Sequence, residues 1–315
     1  MRRPAVARRA RGVALMSALL VVALATVMLA MLLDTAEGQL ARTRNLVRGA
    51  QGDQYAIGLE AWAIDMLRRD GAEGGGATGS DTHDEPWAAA LPLMPVPGGS
   101  VRGVLRDLNG CLDLNALVTV EGIDVPVKVA RLRLLLQALK LNPELADGIL
   151  DWLDPGLDPH TRGAEDQMYL LATPAYRAAN RRFAHLSELR QVRGIDRDTY
   201  ATLAPHVCAL PGPSRLNVNT ATVPVLMSLS ASITPQIAER LAKEGHANYK
   251  DIVGFKTELE RQGVLLVDLT DVDVYSEYFV AQAELVLDGI PFSYSSLIQR
   301  SRGDYAVLAR LRGAL

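Results

Sequence analysis

The chain has 315 residues, 33 basic and 36 acidic, and a net charge of −3. That length allows one or two domains with a sizeable core. Five arginines lie in the first twelve residues, so the remainder carries 28 basic against 36 acidic side chains, a net of −8, which disfavours nucleic acid as a partner.

Arg2, Arg3, Arg8, Arg9 and Arg11 precede an apolar run, residues 13–33, in which Ser17 and Thr26 are the only polar side chains. At about 1.5 Å per residue the run just spans a hydrocarbon core of roughly 30 Å. The arginines favour a cytoplasmic N-terminus, and Asp34 and Glu37 open the far side. Three readings compete for this stretch. A cleaved secretory signal needs a shorter apolar region. A plain signal anchor is the simplest reading. The third takes Gly12 as the end of a basic leader, with Val13 as the first residue of the mature helix.

Helical character persists to about residue 70 without a proline. Tyr55, Leu59, Trp62 and Met66 recur at helical spacing, as do Ile57, Ala61 and Ile64, giving one wide apolar face. Gly71 reads as the helix stop. Gly38, Gly49, Gly52 and Gly58 each weaken the helix by roughly 0.5–1 kcal/mol, which predicts local unwinding. Residues 71–86 form a small-residue loop. Its Gly74, Gly76 and Gly79 have the spacing of a dinucleotide fingerprint, but that motif needs a strand before it and a helix after it; a linker is the better reading.

Residues 100–108 read as a strand. A mainly helical block follows over 125–271, with helices at 129–141, 143–153, 185–192, 198–206, 221–230 and 235–244. The period then switches to two. Phe279, Ala281, Ala283, Leu285 and Leu287 alternate with polar residues, Asp288-Gly289 signals a hairpin, and further strands fall at 292–299 and 305–311 around an Arg302-Gly303-Asp304 turn. The fold class is therefore α+β: a long N-terminal helix on an antiparallel sheet, with an all-helical insert between strands.

Three features bear on chemistry. Asp151, Asp154, Asp158, Glu165 and Asp166 lie within sixteen positions. Such a loop either gathers hard oxygen donors for Ca²⁺ or consists of turn and cap residues; spacing leaves both open. His160, beside them, is either a further ligand or a solvated loop histidine, the commoner case. Cys111 and Cys208 could close a disulfide in an oxidising compartment, or remain two buried thiols. Residues 189–196 and 217–256 resemble helix-hairpin-helix repeats, whose glycine N–H groups approach phosphate. Here Asp196 stands at one such glycine position, and Ser232-Ile233-Thr234 replaces the other pair, so no nucleic acid is expected. HExxH, GxSxG and Walker motifs are absent, which points away from an enzyme.

The motifs Asn109-Gly110-Cys111-Leu112-Asp113-Leu114-Asn115, Asp151-Trp152-Leu153-Asp154, Gly163-Ala164-Glu165-Asp166, Val207-Cys208-Ala209-Leu210-Pro211 and Asn217-Val218-Asn219-Thr220-Ala221, with the Gly12-Val13 junction, resemble the K-type minor pseudopilins of the type II secretion system. The resemblance runs along nearly the whole chain. It implies a pilin-like body bearing a large all-α insertion: leader 1–12, transmembrane part 13–33, amphipathic helix 34–70, linker and first strands 71–112, inserted domain 113–274 and C-terminal strands 275–315. It implies cleavage between Gly12 and Val13 by the prepilin peptidase, N-methylation, and one inner-membrane pass with the C-terminal domain periplasmic. Implied partners are the other minor pseudopilins of the pseudopilus tip and the inner-membrane assembly platform. It also implies Ca²⁺, one ion or two, held by Asp151, Asp154, Asp158, Glu165 and Asp166. Gly156 departs from the pattern, standing where relatives usually have an acid. Pilin-like subunits usually carry Glu at the fifth mature position, thought to neutralise a neighbour's terminal amine. Here that position is Ser17, as expected for a K-type tip subunit. The alternative function is a single-pass periplasmic binding protein using its helix-hairpin-helix-like repeats, with DNA as one ligand.

Overall fold

The computed structural model describes residues 7–73, 79–265, 267–301 and 304–313. The start of the leader, Gly74 and Gly76, and Arg302 and Gly303 lie outside the described residues. The chain divides into two compact units, residues 1–55 and 56–315.

One helix, α1 (Ala7–Glu73), runs without interruption. The expected unwinding at Gly38, Gly49, Gly52 and Gly58 does not occur, because one glycine costs less than breaking a cooperative run of helical hydrogen bonds. Gly71 is not the stop either; the helix continues to Glu73. Within the first unit the apolar side chains of 13–33 are exposed, and this stretch is long and apolar enough to cross a membrane. Its two hydroxyls are satisfied inside the helix: Ser17 Oγ donates to Ala14 O at 3.0 Å and Thr26 Oγ1 to Val22 O at 2.8 Å.

The second unit is built on a five-stranded antiparallel sheet. β1 (Leu91–Val96) and β2 (Gly99–Asp107) form a hairpin through Gly98, at φ 86°. The sequence analysis places a strand at 100–108 but none at 91–96; Pro92 and Pro95 fit in β1 because it is an edge strand. Four two-residue strands follow inside the helical block: β3 (Leu112–Asp113), β4 (Val207–Cys208), β5 (Leu216–Asn217) and β6 (Val272–Asp273). β7 (Tyr278–Leu287), β8 (Ile290–Ser301) and β9 (Asp304–Arg312) complete the sheet in the order β1-β2-β7-β8-β9. Asp288 and Gly289, at φ 48° and 79°, make the tight turn between β7 and β8.

From Ala56 onward α1 packs on this sheet. The buried stripe is Ala56, Leu59, Glu60, Ala63 and Leu67. Of the face expected from sequence, Leu59 is buried, Trp62, Ile64 and Met66 are half-buried, and Ile57 is exposed. Ala63 and Leu67 join Trp87, Leu105, Phe279, Ala281 and Ile298 in one core. A Cβ at Gly103 would stand 2.4 Å from Leu59 Cδ1, so glycine admits the helix there. Glu60, on the buried face, accepts from Arg310 at 2.5 Å through both oxygens and from Ser296 Oγ at 2.5 Å. Burial works to raise its pKa, but these hydrogen bonds outweigh it and leave the carboxyl below its usual range.

Between β2 and β7 the chain departs into the helical block: α2 (Pro126–Ala138), α3 (Leu145–Leu153), α4 (Asp166–Tyr169), α5 (Arg197–Leu203), α6 (Val223–Met227), α7 (Pro235–Ala242) and α8 (Ile252–Arg261). Residues Leu186–Gln191 form a 3₁₀ rather than an α-helix. Helix α8 was missed from the sequence, although Asp251 caps it, accepting from Gly254 N at 2.8 Å, and Phe255 and Leu259 are buried. The block has its own core, including Leu132, Leu136, Ile149, Leu150, Leu189 and Leu226.

Asparagines fasten the block to the sheet. Asn109 Oδ1 accepts from Glu277 N at 3.0 Å and Tyr278 N at 2.8 Å, while its Nδ2 donates to Arg215 O at 2.8 Å. Asn217 Nδ2 donates to Asp81 O and Ser276 Oγ at 3.1 and 2.7 Å. Asn115 bonds Phe183 and Leu210, and Asn219 exchanges two bonds with Tyr249. A Cβ at Gly110 would meet Thr220 O at 2.6 Å, so only glycine fits that approach. Cys111 and Cys208 are joined, with Cα atoms 5.8 Å apart, beside the parallel β3–β4 ladder. Asn109→Ala removes three hydrogen bonds, one of them fully buried, and takes the side-chain acceptor from the N–H groups of Glu277 and Tyr278. Denaturant unfolding of the full chain in detergent should show a loss of about 2–4 kcal/mol; a loss under about 0.5 kcal/mol would refute the fastening role.

Candidate functional site

Helix α3 ends in Asp151-Trp152-Leu153, and Asp154 is its C-cap. Its apolar face is drawn into the block core through Ile149, Leu150 and Leu153, and Asp151 goes in with it, 0% exposed. Asp151 Oδ1 accepts from His160 N at 3.0 Å and also meets His160 Nδ1. Its Oδ2 has no hydrogen-bond partner. Gly163 lies against it: a Cβ there would fall 1.7 Å from Asp151 Oδ2. Glu165, the N-cap of α4, is 4% exposed, and neither of its carboxylate oxygens has a hydrogen-bond partner. Asp154 is buried, and its Oδ1 accepts from Gly156 N at 2.7 Å.

Electrostatics marks the same spot. Burial, then the charges of Asp151 and Asp154, push Glu165 up to about 7. Burial also raises Asp154. For His160, burial works downward, but hydrogen bonds to Asp151 and Asp124 outweigh it and its pKa rises above the usual histidine value. The imidazole is half-buried, with Nε2 3.1 Å from Asp124 Oδ2 and Nδ1 3.8 Å from Asp154 Oδ2. It is therefore not the solvated loop histidine expected from sequence. Asp124, thirty-six positions upstream, was missed, because nothing local in its sequence marks it.

The five acids are thus not one set. Asp151, Asp154 and His160 each place a donor within 4.8 Å of the others, and Glu165 is coupled to both carboxylates. Asp166 turns away: its Oδ1 accepts from Ala178 N at 3.0 Å, and its Oδ2 lies 3.5 Å from Arg177 Nη1. Asp158 is exposed. Three buried carboxylate oxygens without partners, beside a glycine that leaves room, suit a hard cation. When bound, a divalent cation would supply the positive charge and the missing partners; Asp151, Asp154 and Glu165 would hold it.

Two repeats resemble DNA-binding hairpins, and their helix N-termini are already capped. Asp196 accepts from Thr199 N at 2.8 Å, which lowers its pKa, and Thr234 Oγ1 accepts from Ile237 N at 3.4 Å. A carboxylate fixed at that N-terminus repels phosphate.

Comparison with known proteins agrees with this architecture. Residues 110–212 match the family described as type II secretion system (T2SS), protein K. Type II secretion system protein K of Pseudomonas aeruginosa is 36% identical, over 97% of this chain and 94% of its own length. The chain belongs to the type II secretion system protein K family. The Pectobacterium carotovorum subsp. carotovorum member is 30% identical, over 97% of both chains. Among solved structures, a chain of the GspK-GspI-GspJ complex from enterotoxigenic Escherichia coli superposes with a TM-score of 0.73 at 26% identity. That match covers 87% of this chain and all of the other. Nothing in these relatives supports the nucleic-acid alternative, and the family is a structural component of a secretion system.

Calorimetry on the full chain in detergent, stripped with EGTA, tests the acidic site. Ca²⁺ at a hundredfold excess over Kd should add about 2.7 kcal/mol, read as a rise of roughly 5–10 °C in Tm. Asp151→Asn combined with Glu165→Gln should weaken binding at the loop by about tenfold or more. An unchanged affinity there would refute the site.

Proposed function

We propose that this protein is a minor pseudopilin that forms or initiates the tip of the type II secretion pseudopilus, supporting protein export across the outer membrane. It acts through assembly, not catalysis. Its partners are the subunits corresponding to GspI and GspJ, with the inner-membrane assembly platform beneath them. The observation that carries the tip reading is Ser17, whose hydroxyl is satisfied by Ala14 O in its own helix. A carboxylate at that depth demands a partner such as a neighbour's amine; Ser17 demands none. The subunit can therefore be placed without a preceding one to receive it.

The prepilin peptidase cuts after Gly12, leaving an N-methylated Val13. Residues 13–33 then hold the protein in the inner membrane, with the body in the periplasm. The Cys111–Cys208 bond supports an oxidising compartment. Ca²⁺, held by Asp151, Asp154 and Glu165, orders the loop between Leu153 and Tyr169. The inserted domain, 113–274, is the candidate contact surface, and the pilin body fixes its orientation.

Mass spectrometry of the mature protein should find a chain beginning at methylated Val13; an intact leader would refute processing. In cells, Ser17→Glu should reduce secretion severalfold and move crosslinks from the pseudopilus end into the shaft. Unchanged secretion, with wild-type protein crosslinking throughout the shaft, would overturn the tip reading.

A further inference from the structure

Asp151, in the last turn of α3 and fully buried, is fixed through one oxygen. Its Oδ1 accepts from His160 N at 3.0 Å and from the imidazole Nδ1, while its Oδ2 has no hydrogen-bond partner. His160 and Gly163 close a turn, in which Gly163 N donates to His160 O at 3.0 Å. The two ends of that turn lie on the two oxygens: His160 on Oδ1, and the side-chain-free Gly163 beside Oδ2. The carboxylate is gripped at one edge and left open at the other.

The imidazole is itself held from its far side. Its Nε2 is 3.1 Å from Asp124 Oδ2, and Asp124 belongs to a tight turn over residues 117–125. Val125 N donates to Leu117 O at 2.8 Å, Thr119 N to Ile123 O at 2.8 Å and Gly122 N to Thr119 O at 3.1 Å, and Val118 pairs with Asp124 across the turn. Gly122, at φ 84°, lets the turn rest on the acidic loop; a Cβ there would stand 2.1 Å from Pro155 Cδ. Asp124 is thus presented from a braced position. A carboxylate oxygen only accepts, so a ring nitrogen facing one carries hydrogen and has no lone pair to give a metal. Both nitrogens of His160 face carboxylates. Its approach to Asp154, 3.8 Å from Nδ1 to Oδ2, does not make it a ligand.

We infer that Asp124 and His160 are positioning residues of the cation site: Asp124 orients the imidazole, and the imidazole holds Asp151 so that only its Oδ2 is offered to the ion. This rests on the Ca²⁺ reading of the acidic loop given above. Asp151 then binds through one oxygen. Glu165, whose two oxygens both lack partners, is the carboxylate open to two-oxygen binding. Hydrogen-bonded supports of metal ligands typically carry a factor of about 10–100 in affinity. The turn at 117–125 becomes part of the site although it supplies no ligand.

Calorimetric titration of the EGTA-stripped full chain in detergent with Ca²⁺ tests this series of contacts, with circular dichroism checking that each variant folds. Asp124→Ala and His160→Ala should each weaken binding at the loop by about tenfold or more. The double variant should bind no more weakly than His160→Ala alone, because Asp124 acts through the ring. His160→Asn keeps an N–H for Asp151 Oδ1 and should recover most of the affinity; in that background Asp124→Ala should change nothing. Losses that add, or that His160→Asn leaves unrepaired, overturn the positioning role. The wild-type chain loaded with ¹¹³Cd²⁺, an ion close to Ca²⁺ in size, gives a readout that needs no variant: its resonance should fall in the all-oxygen range. A resonance moved downfield by a nitrogen ligand overturns the positioning role, as does an unchanged affinity in Asp124→Ala when the wild-type chain binds. A wild-type chain that binds no Ca²⁺ overturns the site itself, and the positioning role with it.

Discussion

The side chain of Asn109 holds together what the chain order would pull apart. It stands just past the end of β2, yet its carbonyl oxygen receives the backbone of Glu277 and Tyr278, where β7 begins. Its amide reaches Arg215, inside the helical block. One uncharged group thus fixes strand, strand and insert at a single point. The neighbouring amides follow the same logic. Asn115, Asn217 and Asn219 are buried, and each satisfies backbone groups that no regular ladder reaches. An amide suits such corners because it offers donors and an acceptor together, without the desolvation penalty of a charge.

What could be read from the sequence depended on whether the signal was local. The alternation in β7 and the Asp288-Gly289 turn are properties of a few adjacent residues, and the structure matches both. Glycine penalties along α1 were read as breaks because local propensity takes no account of cooperativity. β1 accommodates two prolines because it is an edge, which is a fact of sheet order and not of local sequence. For the acidic loop, spacing leaves cation donors and cap residues both open, and the resemblance implies all five acids as ligands. Burial divides them: Asp151, Asp154 and Glu165 face inward, while Asp158 is exposed and Asp166 is turned to Arg177. The role of His160 depends on Asp124, and no spacing rule joins residues thirty-six apart.

Charge placement separates two functions that the motifs alone would confuse. A helix-hairpin-helix scaffold binds phosphate through exposed N–H groups, and here a side chain already accepts from one N–H at each of two helix termini. Asp196 takes an N–H at one helix terminus and Thr234 an N–H at another. Asp151 and Glu165, by contrast, keep buried carboxylate oxygens without a hydrogen-bond partner.

The strands that flank the helical block are hydrogen-bonded neighbours. Asp107 pairs with Phe279, and Leu108 N still reaches Tyr278 O at 2.9 Å. Topologically, β2 and β7 are a β-hairpin whose loop has swollen into a domain. Adjacent strands lie only about 4.8 Å apart, so the sheet never registers how much chain is spent between them. The graft can therefore lengthen, shrink or change its surface over evolutionary time while the scaffold beneath stays the same shape. A filament built from such scaffolds can vary what it displays at one end without altering the lattice below.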